Sequence, residues 1–366
     1  MNQSIKIPFV DLYPQYEELR QEIDQAISNV IRNSDFITGP TVEKFEKEIC
    51  KYTGAEDCAS IGSGTNALVC ALKACGIGPG DQVMTVGHTF VSTTEAIVNV
   101  GAEPVFVDID EHYHLDTNQM QLSDRLKAIL FVDLYGQTPD IDKIKEFAKK
   151  FNLKVIEDAA QSFGSSYKDK KVGSLVDLTC FSFNPVKNLG AMGDAGAVTG
   201  NKELVDKVRM YRDHGRRTKF EYETVGYNAR IDNLQAVVVQ AKLQKIDQWL
   251  AKKRKICQRY TEKLKDVVIT PKEASWSYHT YYVYVIEVPK ETRDALQIFL
   301  KDKGIATNIH YKFPTHTTKA FEKYGQSLPR TEYVCNNILS LPCYHSLPEH
   351  HQDYIVDAVK EFYEKH

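Results

Sequence analysis

The sequence predicts an α/β fold built around a mostly parallel sheet. Between residues 82 and 183, short β-branched apolar runs alternate with stretches that have helical spacing. The runs are almost continuously apolar, which is typical of strands that are covered by helices on both faces. At 366 residues, the chain is also long enough for two domains. We therefore expect a large α/β domain over residues 1–250 and a smaller α+β domain over residues 251–366.

Two helices are predicted before the sheet. Apolar residues recur at helical spacing over residues 16–31. A turn at residues 38–40 separates this helix from a second, short one that has Val42, Phe45 and Ile49 on one face.

The predicted sheet has five strands joined by helices. The predicted strands are 82–86, 104–108, 128–132, 154–157 and 178–183, and the predicted helices are 66–75, 91–100 and 141–151.

After the sheet, one long helix is predicted over residues 231–265 as the connection out of the large domain. It carries a basic run at residues 252–255, for which a solvated helix face is favoured over a binding role. The smaller domain is predicted to contain a strand at 281–288, a helix at 293–303 and a strand at 305–310.

Composition and charge exclude several classes of protein. Lys plus Arg (46) nearly balance Asp plus Glu (49), so no global field favours nucleic acid or an anionic membrane. Residues 1–8 lack the apolar core of a signal peptide, and no apolar stretch is long enough to span a bilayer. The eight cysteines are scattered without a Cys-x-x-Cys pair and are expected to be buried free thiols, not metal ligands. A cytoplasmic protein is the expectation.

The most informative motif is a loop rich in glycine and alanine around Lys187. Partial burial removes hydration from an amine, which lowers its pKa and leaves more of it neutral and nucleophilic. The small residues at 190–197 permit close approach of a ligand to the backbone. A surface lysine in a turn is the alternative.

Two further motifs point to a ligand with a phosphate and a basic ring nitrogen. Ser63-Gly64-Thr65-Asn66 opens a helix, where free N–H groups and the helix dipole suit a phosphate; a plain N-cap is the alternative. Asp158 follows the strand 154–157 at its carboxyl end, with Gln161 shortly after. Asp158 is suited to pair with a protonated pyridine nitrogen, or else to cap the next helix.

A hydroxyl and an aromatic ring complete the set. Ser182 lies five residues before Lys187, from where its hydroxyl can reach the same phosphate. Phe90 follows a strand, so that it either stacks on the ligand ring or belongs to the core. Together with Lys187 and Asp158, these residues describe a site for pyridoxal 5′-phosphate (PLP).

With these motifs, the chain resembles the DegT family of PLP-dependent sugar aminotransferases, which have the fold type I architecture of aspartate aminotransferase. The resemblance covers nearly the whole chain. It rests on the segments Phe9–Leu12, Phe36–Pro40, Ser63–Leu68, Gly78–Asp81, Glu157–Ser162, the Lys187 loop, Gly226–Asn228 and Leu234–Ala236.

The resemblance implies a role for each candidate residue. Lys187 would attach the cofactor covalently and Asp158 would pair with its pyridine nitrogen. Gln161 would lie near the ring hydroxyl and Phe90 over the ring. The remaining cofactor contacts would hold the phosphate, and they are Gly64, Thr65, Ser182 and, from a neighbouring subunit, Asn228. A homodimer with shared active sites follows from that last role.

The resemblance also implies the reaction. L-Glutamate would donate an amino group, leaving 2-oxoglutarate, and a keto group of a nucleotide-linked sugar would receive it, in the synthesis of amino sugars for surface polysaccharides or glycoconjugates. A family subset with histidine in place of the lysine performs dehydration, so Lys187 favours amino transfer.

The position of the keto group is predicted from two segments. The stretch 226–232 resembles members that aminate C3 more than those that aminate C4, as does His310-Tyr311 followed by His316. Arg230 is the basic residue singled out for substrate binding, together with His310 and Tyr311. C4 amination and a non-catalytic PLP-binding regulator are the alternatives; a regulator would normally carry an added DNA-binding segment, and none is visible.

Overall fold

A seven-stranded sheet forms the centre of the structure, a computed structural model that describes residues 6–365. The first five residues, part of the segment in which no signal peptide is expected, lie outside this range, as does His366. The strands of the chain are β1 (Asp57–Ile61), β2 (Gln82–Val86), β3 (Glu103–Val107), β4 (Leu126–Val132), β5 (Lys154–Asp158), β6 (Ser166–Tyr167), β7 (Lys170–Lys171), β8 (Leu178–Ser182), β9 (Gly196–Gly200), β10 (Ser277–Tyr278), β11 (Tyr284–Glu287) and β12 (Ile338–Leu341).

Helices cover both faces of this sheet and build most of the C-terminal part. They are α1 (Tyr13–Glu18), α2 (Arg20–Asn33), α3 (Pro40–Thr53), α4 (Gly64–Ala74), α5 (Val91–Asn99), α6 (Ile141–Phe151), α7 (Lys202–Arg212), α8 (Asn233–Leu243), α9 (Ile246–Leu264), α10 (Lys290–Asp302), α11 (Pro329–Asn337) and α12 (Glu349–Lys365).

The central sheet is mostly parallel, as the sequence predicts. Its order is β1-β9-β8-β5-β4-β2-β3, and only β9 runs against its neighbours. The five predicted strands are all present, with ends that differ from the prediction by at most two residues. Because β8 and β5 are neighbours, their carboxyl ends bring Ser182 and Asp158 to the same edge of the sheet.

The sequence did not predict β1 and β9. β9 has the sequence Gly-Ala-Val-Thr-Gly, which lacks the β-branched run that marks the other strands. Pairing with β1 on one side and β8 on the other makes it a strand, so tertiary context overrides its weak local preference.

The single long helix predicted over 231–265 is wrong, because the chain forms two helices that meet at Gln244–Lys245. Helix α8 packs in the core beneath the Lys187 loop through Ala236, Val239 and Leu243. Helix α9 carries its later apolar residues into the C-terminal core. The start of α9 still packs with α8, through Ile246 and Leu250, so α9 itself connects the two cores.

The C-terminal core is built on the antiparallel pair β11–β12 and helices α9, α10 and α12. The strand predicted at 305–310 is also wrong: Ile305 and Asn308 form only isolated bridges, after which the chain turns into the cavity described below. The boundary predicted at residue 250 falls within α9, so the division into two domains stays a prediction.

The structure also bears on membrane spans, metal sites and cysteines. Over residues 6–365, no helix is long and apolar enough to cross a membrane. In the same range, no group of three or more His, Cys, Asp or Glu is arranged to hold a metal ion. All eight cysteines are free thiols; six are buried, whereas Cys50 and Cys75 are only partly buried.

Candidate active site

A cavity of about 590 Å³ lies where β5 and β8 end, beneath the N-termini of α4 and α5. Residues 308–311 close it from the C-terminal side. The predicted site residues that line it are Gly64, Thr65, Phe90, Asp158, Gln161, Ser182, Lys187, His310 and Tyr311. The sequence motifs, spread over more than 240 residues, therefore converge in one cavity.

The Lys187 loop begins after β8 and returns to β9. The Lys187 backbone N–H donates to the Asn184 carbonyl at 2.9 Å, and the Ala191 N–H donates to the Phe183 carbonyl at 2.7 Å. A side chain at Gly190 would place its Cβ 2.3 Å from the Pro185 carbonyl oxygen, so this turn requires glycine. Burial lowers the pKa of the Lys187 amine to about 8, and the charge of Asp158 opposes that change.

This pKa predicts how the stability of the apoprotein depends on pH. A lysine normally titrates near 10.5, so between pH 8 and pH 10.5 the unfolded chain binds more protons at Lys187 than the folded chain. Burial of the Lys187 amine therefore lowers the free energy of unfolding by its full amount below pH 8, and this effect disappears as the pH rises to 10.5. Lys187→Met should therefore raise the free energy of unfolding by about 1–3 kcal/mol at pH 7 and by almost nothing above pH 10.5.

Urea unfolding of the two apoproteins at pH 7 and at alkaline pH measures this difference. Lys252→Met, which removes an exposed lysine, is the control. It should change the free energy of unfolding equally at the two pH values. An equal gain from Lys187→Met at both pH values would contradict the assigned ionisation.

Asp158 ends β5 and is buried in the cavity wall. Its Oδ2 accepts a hydrogen bond from Thr93 Oγ1 at 2.7 Å, and its Oδ1 accepts one from the Ala160 N–H at 3.2 Å. Burial raises the pKa of Asp158, whereas both hydrogen bonds and the Lys187 charge lower it. The residues that follow form turns, so Asp158 does not cap an α-helix.

Behind Asp158 lie two further buried carboxyl groups, which the sequence analysis missed. Ser162 Oγ donates to Asp133 at 2.7 Å, and Thr179 Oγ1 donates to Glu157 at 2.7 Å. The negative charges of Glu157 and Asp158 also act on Asp133. Burial raises the pKa of Glu157 to about 7 and that of Asp133 well above its usual range. Glu157 lies in β5 and Asp133 directly follows β4. A single acid in or beside an apolar strand does not form a repeating pattern, so its burial could not be predicted from the sequence.

The other end of the cavity is suited to an anion. Helix α4 starts at Gly64, and Ser63 Oγ accepts the Asn66 N–H at 3.2 Å. Thr65 Oγ1 lies 2.7 Å from Ser92 Oγ, and the Ser182 hydroxyl faces the same helix end. Free N–H groups, a helix dipole and these hydroxyls together fit a phosphate. Ser63 thus caps the helix, as the alternative interpretation held, and still leaves this end open to a ligand.

Gly64 is needed for that arrangement. A Cβ at this position would lie 2.7 Å from Ser182 Cβ, a distance that forces the two chains apart. We expect Gly64→Ala to weaken PLP binding by at least about tenfold (~1.4 kcal/mol), since the helix end and the Ser182 hydroxyl can no longer converge. Alanine suits a helix, so helix propensity does not explain such a loss.

Fluorescence titration of the apoprotein with PLP measures this effect. Gly78→Ala is the matched control, because its Cβ would meet nothing closer than 3.9 Å. Unchanged PLP affinity in Gly64→Ala would argue against a phosphate at this helix end.

Gln161 and Phe90 occupy two sides of the cavity. Gln161 Oε1 accepts the Tyr135 N–H at 2.8 Å, and its Nε2 donates to the Tyr311 hydroxyl at 2.9 Å. Phe90 is 51% exposed, and its ring centroid lies 5.9 Å from that of Tyr311. Phe90 is therefore not a core residue and is free to cover a ligand.

His310 is held at the mouth of the cavity by the C-terminal part of the chain. Its Nδ1 lies 2.9 Å from Ser340 Oγ, and its carbonyl accepts a hydrogen bond from the Tyr135 hydroxyl. Burial and the nearby Lys187 charge lower the pKa of His310 to about 4, so its ring is neutral at physiological pH.

The structure does not bring Asn228 and Arg230 into this cavity. Arg230 donates to Asn228 Oδ1 at 2.7 Å and pairs with Asp213 at 3.2 Å. Arg230 lines a separate groove of about 940 Å³ that also contains Arg212 and Arg216. Conversely, Tyr282 and Asn308 line the cavity although the sequence did not identify them.

Comparison with known proteins places the chain in a family. The model of the DegT/DnrJ/EryC1/StrS aminotransferase family matches residues 17–360. A "Pleiotropic regulatory protein" of Geobacillus stearothermophilus is 41% identical, over 98% of this chain and 99% of its own. The UDP-2-acetamido-2-deoxy-3-oxo-D-glucuronate aminotransferase of Pseudomonas aeruginosa is 38% identical, over 92% and 94%.

A solved structure extends the comparison to the fold. NtdA of Bacillus subtilis, solved with its bound cofactor PMP, superimposes with a TM-score of 0.92 at 29% identity, covering 99% of this chain and 86% of NtdA. The predicted architecture is thereby confirmed. The family match spans most of the sequence, and the chain belongs to the DegT/DnrJ/EryC1/StrS aminotransferase family.

Proposed function

We propose that the protein is a PLP-dependent aminotransferase that moves the amino group of L-glutamate to the C3 keto group of a nucleotide-linked sugar. The observation that carries this proposal is the placing of Lys187, Asp158 and the N-terminus of α4 around one cavity. These three provide an amine, a carboxylate for a ring nitrogen and an anion site. The choice of cofactor is supported by NtdA, which has a similar structure and was solved with PMP bound.

The residues divide the work between holding the cofactor and moving a proton. Gly64, Thr65 and Ser182 would hold the phosphate, and Asp158 would keep the ring nitrogen protonated. When bound, PLP supplies a cationic ring that accepts the electron pair released as a substrate C–H bond breaks. Gln161 would hydrogen-bond the ring hydroxyl and Phe90 would stack on the ring. Lys187 would anchor the cofactor and, once released, carry a proton to or from the reacting carbon.

The choice of C3 is supported by a relative, the Pseudomonas aeruginosa enzyme, whose name gives a 3-oxo sugar as its substrate. Whichever carbon carries the keto group, His310 and Tyr311 line the mouth of the cavity, where a neutral imidazole and a phenol can hydrogen-bond sugar hydroxyls. The product would be an amino sugar for surface polysaccharides or glycoconjugates. The regulatory name of the Geobacillus relative favours a second candidate, a PLP-binding regulator, which needs no turnover.

Purified protein distinguishes these candidates. We expect visible absorbance from bound PLP, covalent fixation of PLP to Lys187 by borohydride, and amino transfer from glutamate to a C3-keto nucleotide sugar. Activity on C4-keto sugars alone would overturn the C3 assignment. PLP binding without turnover of either C3-keto or C4-keto nucleotide sugars would favour the regulator.

The proposal includes a homodimer in which Asn228 of one copy completes the other copy's phosphate site. Two observations support it. Within one copy, Asn228 lies outside the cavity, tied to Arg230. Large apolar side chains are exposed, including Ile37 (46%), Met192 (46%) and Val225 (88%), and contact with a second chain would remove such side chains from water.

Mixed dimers test the shared site. Lys187→Ala and Asn228→Asp chains should each be inactive alone. Co-expressed, they should regain activity, because the intact Lys187 of one chain meets the intact Asn228 of the other. If Asn228 acts within its own chain, the mixture stays inactive.

A further inference from the structure

The amine of Lys187 rests on the face of an aromatic ring. Its Nζ lies 4.5 Å from the ring centroid of Tyr282, a cavity residue. Within residues 6–365, the effects on the pKa of Lys187 are burial and the charge of Asp158, with no hydrogen bond among them. The ring is thus a direct contact of this ammonium, whereas Asp158 acts on it through its charge.

Tyr282 is fixed from two sides. Its N–H donates to the Tyr135 carbonyl at 2.7 Å. Its own carbonyl accepts a hydrogen bond from Lys253 Nζ at 2.9 Å. Lys253 also donates to Asn188 Oδ1 at 3.1 Å, and Asn188 is the residue next to Lys187. One ammonium on α9 therefore ties together the ring and the loop that carries the amine.

This contact corrects the interpretation of the basic run at 252–255. Lys252 and Lys255 are exposed, as a solvated face requires. Lys253 and Arg254 are not: Arg254 bonds to Glu273 at 2.7 Å and lies 4.1 Å from the Tyr278 ring centroid. Part of the run is a packing surface against the active-site wall.

We propose that the face of Tyr282 is the docking surface for the protonated form of Lys187, and that Lys253 is the positioning residue that sets the distance between them. An aromatic face attracts an ammonium but not a neutral amine. The ring therefore offsets part of the cost of burying the charge, without a hydrogen bond that would tether the nitrogen. Lys187 can then hold a proton between steps and still swing to the reacting carbon. This role rests on the proposed function, whereas the contact itself does not.

Titration of Lys187 in the apoprotein tests the contact without any turnover. The pH dependence of its acetylation by acetic anhydride, followed by mass spectrometry, gives the midpoint of its ionisation. Tyr282→Leu should lower that midpoint by about 0.5–1 pH unit, because the ammonium loses its ring. Tyr282→Phe should leave it unchanged. A midpoint in Tyr282→Leu that stays or rises would overturn the proposal.

A second measurement keeps the shape of the ring. Replacing Tyr282 by phenylalanines with one, two and three fluorines weakens the negative face stepwise, so the midpoint should fall with each fluorine. A flat series would overturn the docking surface even if Tyr282→Leu failed to fold. Tyr278→Leu, which removes the ring beneath Arg254, is the matched control and should not move the midpoint.

Lys253 is tested in parallel. Lys253→Met should reduce kcat about tenfold with KM for the sugar unchanged, and Lys253→Arg should restore part of the rate. The Lys187 midpoint is not the readout for this variant, because Lys253 Nζ itself lies 6.0 Å from the Tyr282 ring centroid and its removal also relieves repulsion of the Lys187 ammonium. Lys252→Met should change neither kcat nor KM. If Lys253→Met lowers only the melting temperature, Lys253 has no positioning role. If the wild type transfers no amino group but the midpoints move as expected, the proposed function fails and the contact stands.

Discussion

Lys187→Ala is expected to lower kcat for amino transfer by at least about 10³-fold, the largest effect of any substitution in the site. Proton transfer by a positioned side chain contributes about 10²- to 10⁴-fold on its own. Lys187 is the amine in the cavity next to Asp158, with its pKa lowered to about 8, close to the working pH at which a proton carrier is most effective. Single-turnover kinetics with glutamate and bound PLP measure the loss directly.

Two controls separate the proton carrier from the cofactor anchor. PLP affinity should fall far less than kcat, since the phosphate site at Gly64 is intact. Added small primary amines should restore part of the rate in Lys187→Ala but not in Lys187→Met, whose side chain fills the space. Turnover by Lys187→Ala within tenfold of the wild type would exclude Lys187 as the proton carrier.

Asp158→Asn is expected to lower kcat by about 10²- to 10³-fold, or about 3–4 kcal/mol in the barrier. The amide has the shape of the carboxylate but carries no charge, so a protonated ring nitrogen loses its partner. The backbone of β5 and the hydrogen bond from Thr93 can both persist, because an amide oxygen also accepts, and the change then costs only the longer hydrogen bond from the Ala160 N–H. The fold should therefore survive the change.

The ¹⁵N chemical shift of labelled cofactor gives a readout independent of rate. In wild type we expect a protonated ring nitrogen, and in Asp158→Asn an unprotonated one. Thr93→Val, which removes only the hydroxyl donor to Asp158, should leave the nitrogen protonated and slow turnover modestly. A protonated nitrogen in Asp158→Asn would show that another group holds the proton.

The sequence was most informative where chemistry and local structure coincide. Lys187, Asp158 and Gly64 are marked by small-residue turns and strand ends, and all three line the cavity. The parallel strands are marked by apolar runs. β9 is not, because its Gly-Ala-Val-Thr-Gly sequence has little strand preference of its own and it becomes a strand by pairing with β8 and with the distant β1.

The residues that were missed depend on tertiary contacts. Tyr282 and Lys253 are an aromatic residue in a C-terminal segment and a lysine in a basic run, and only the packing of α9 against the loop brings them to Lys187. Asp133 and Glu157 face each other only because β4 and β5 are neighbours. Asn228 and Arg230 remain predictions, since one copy does not bring them into the cavity.

The Lys187 loop leaves the sheet at Ser182 and re-enters it at Gly196, and these two residues are direct partners in the β8–β9 ladder. Strand pairing therefore closes the loop during folding. Because the loop is already ordered, its loss of conformational entropy does not weaken ligand binding. The same pairing makes loop length strict. Removing one residue would slip β9 by one position and turn each of its side chains to the opposite face of the sheet. Natural variation in this loop should thus consist of substitutions, whereas insertions and deletions should be confined to loops whose ends are not paired.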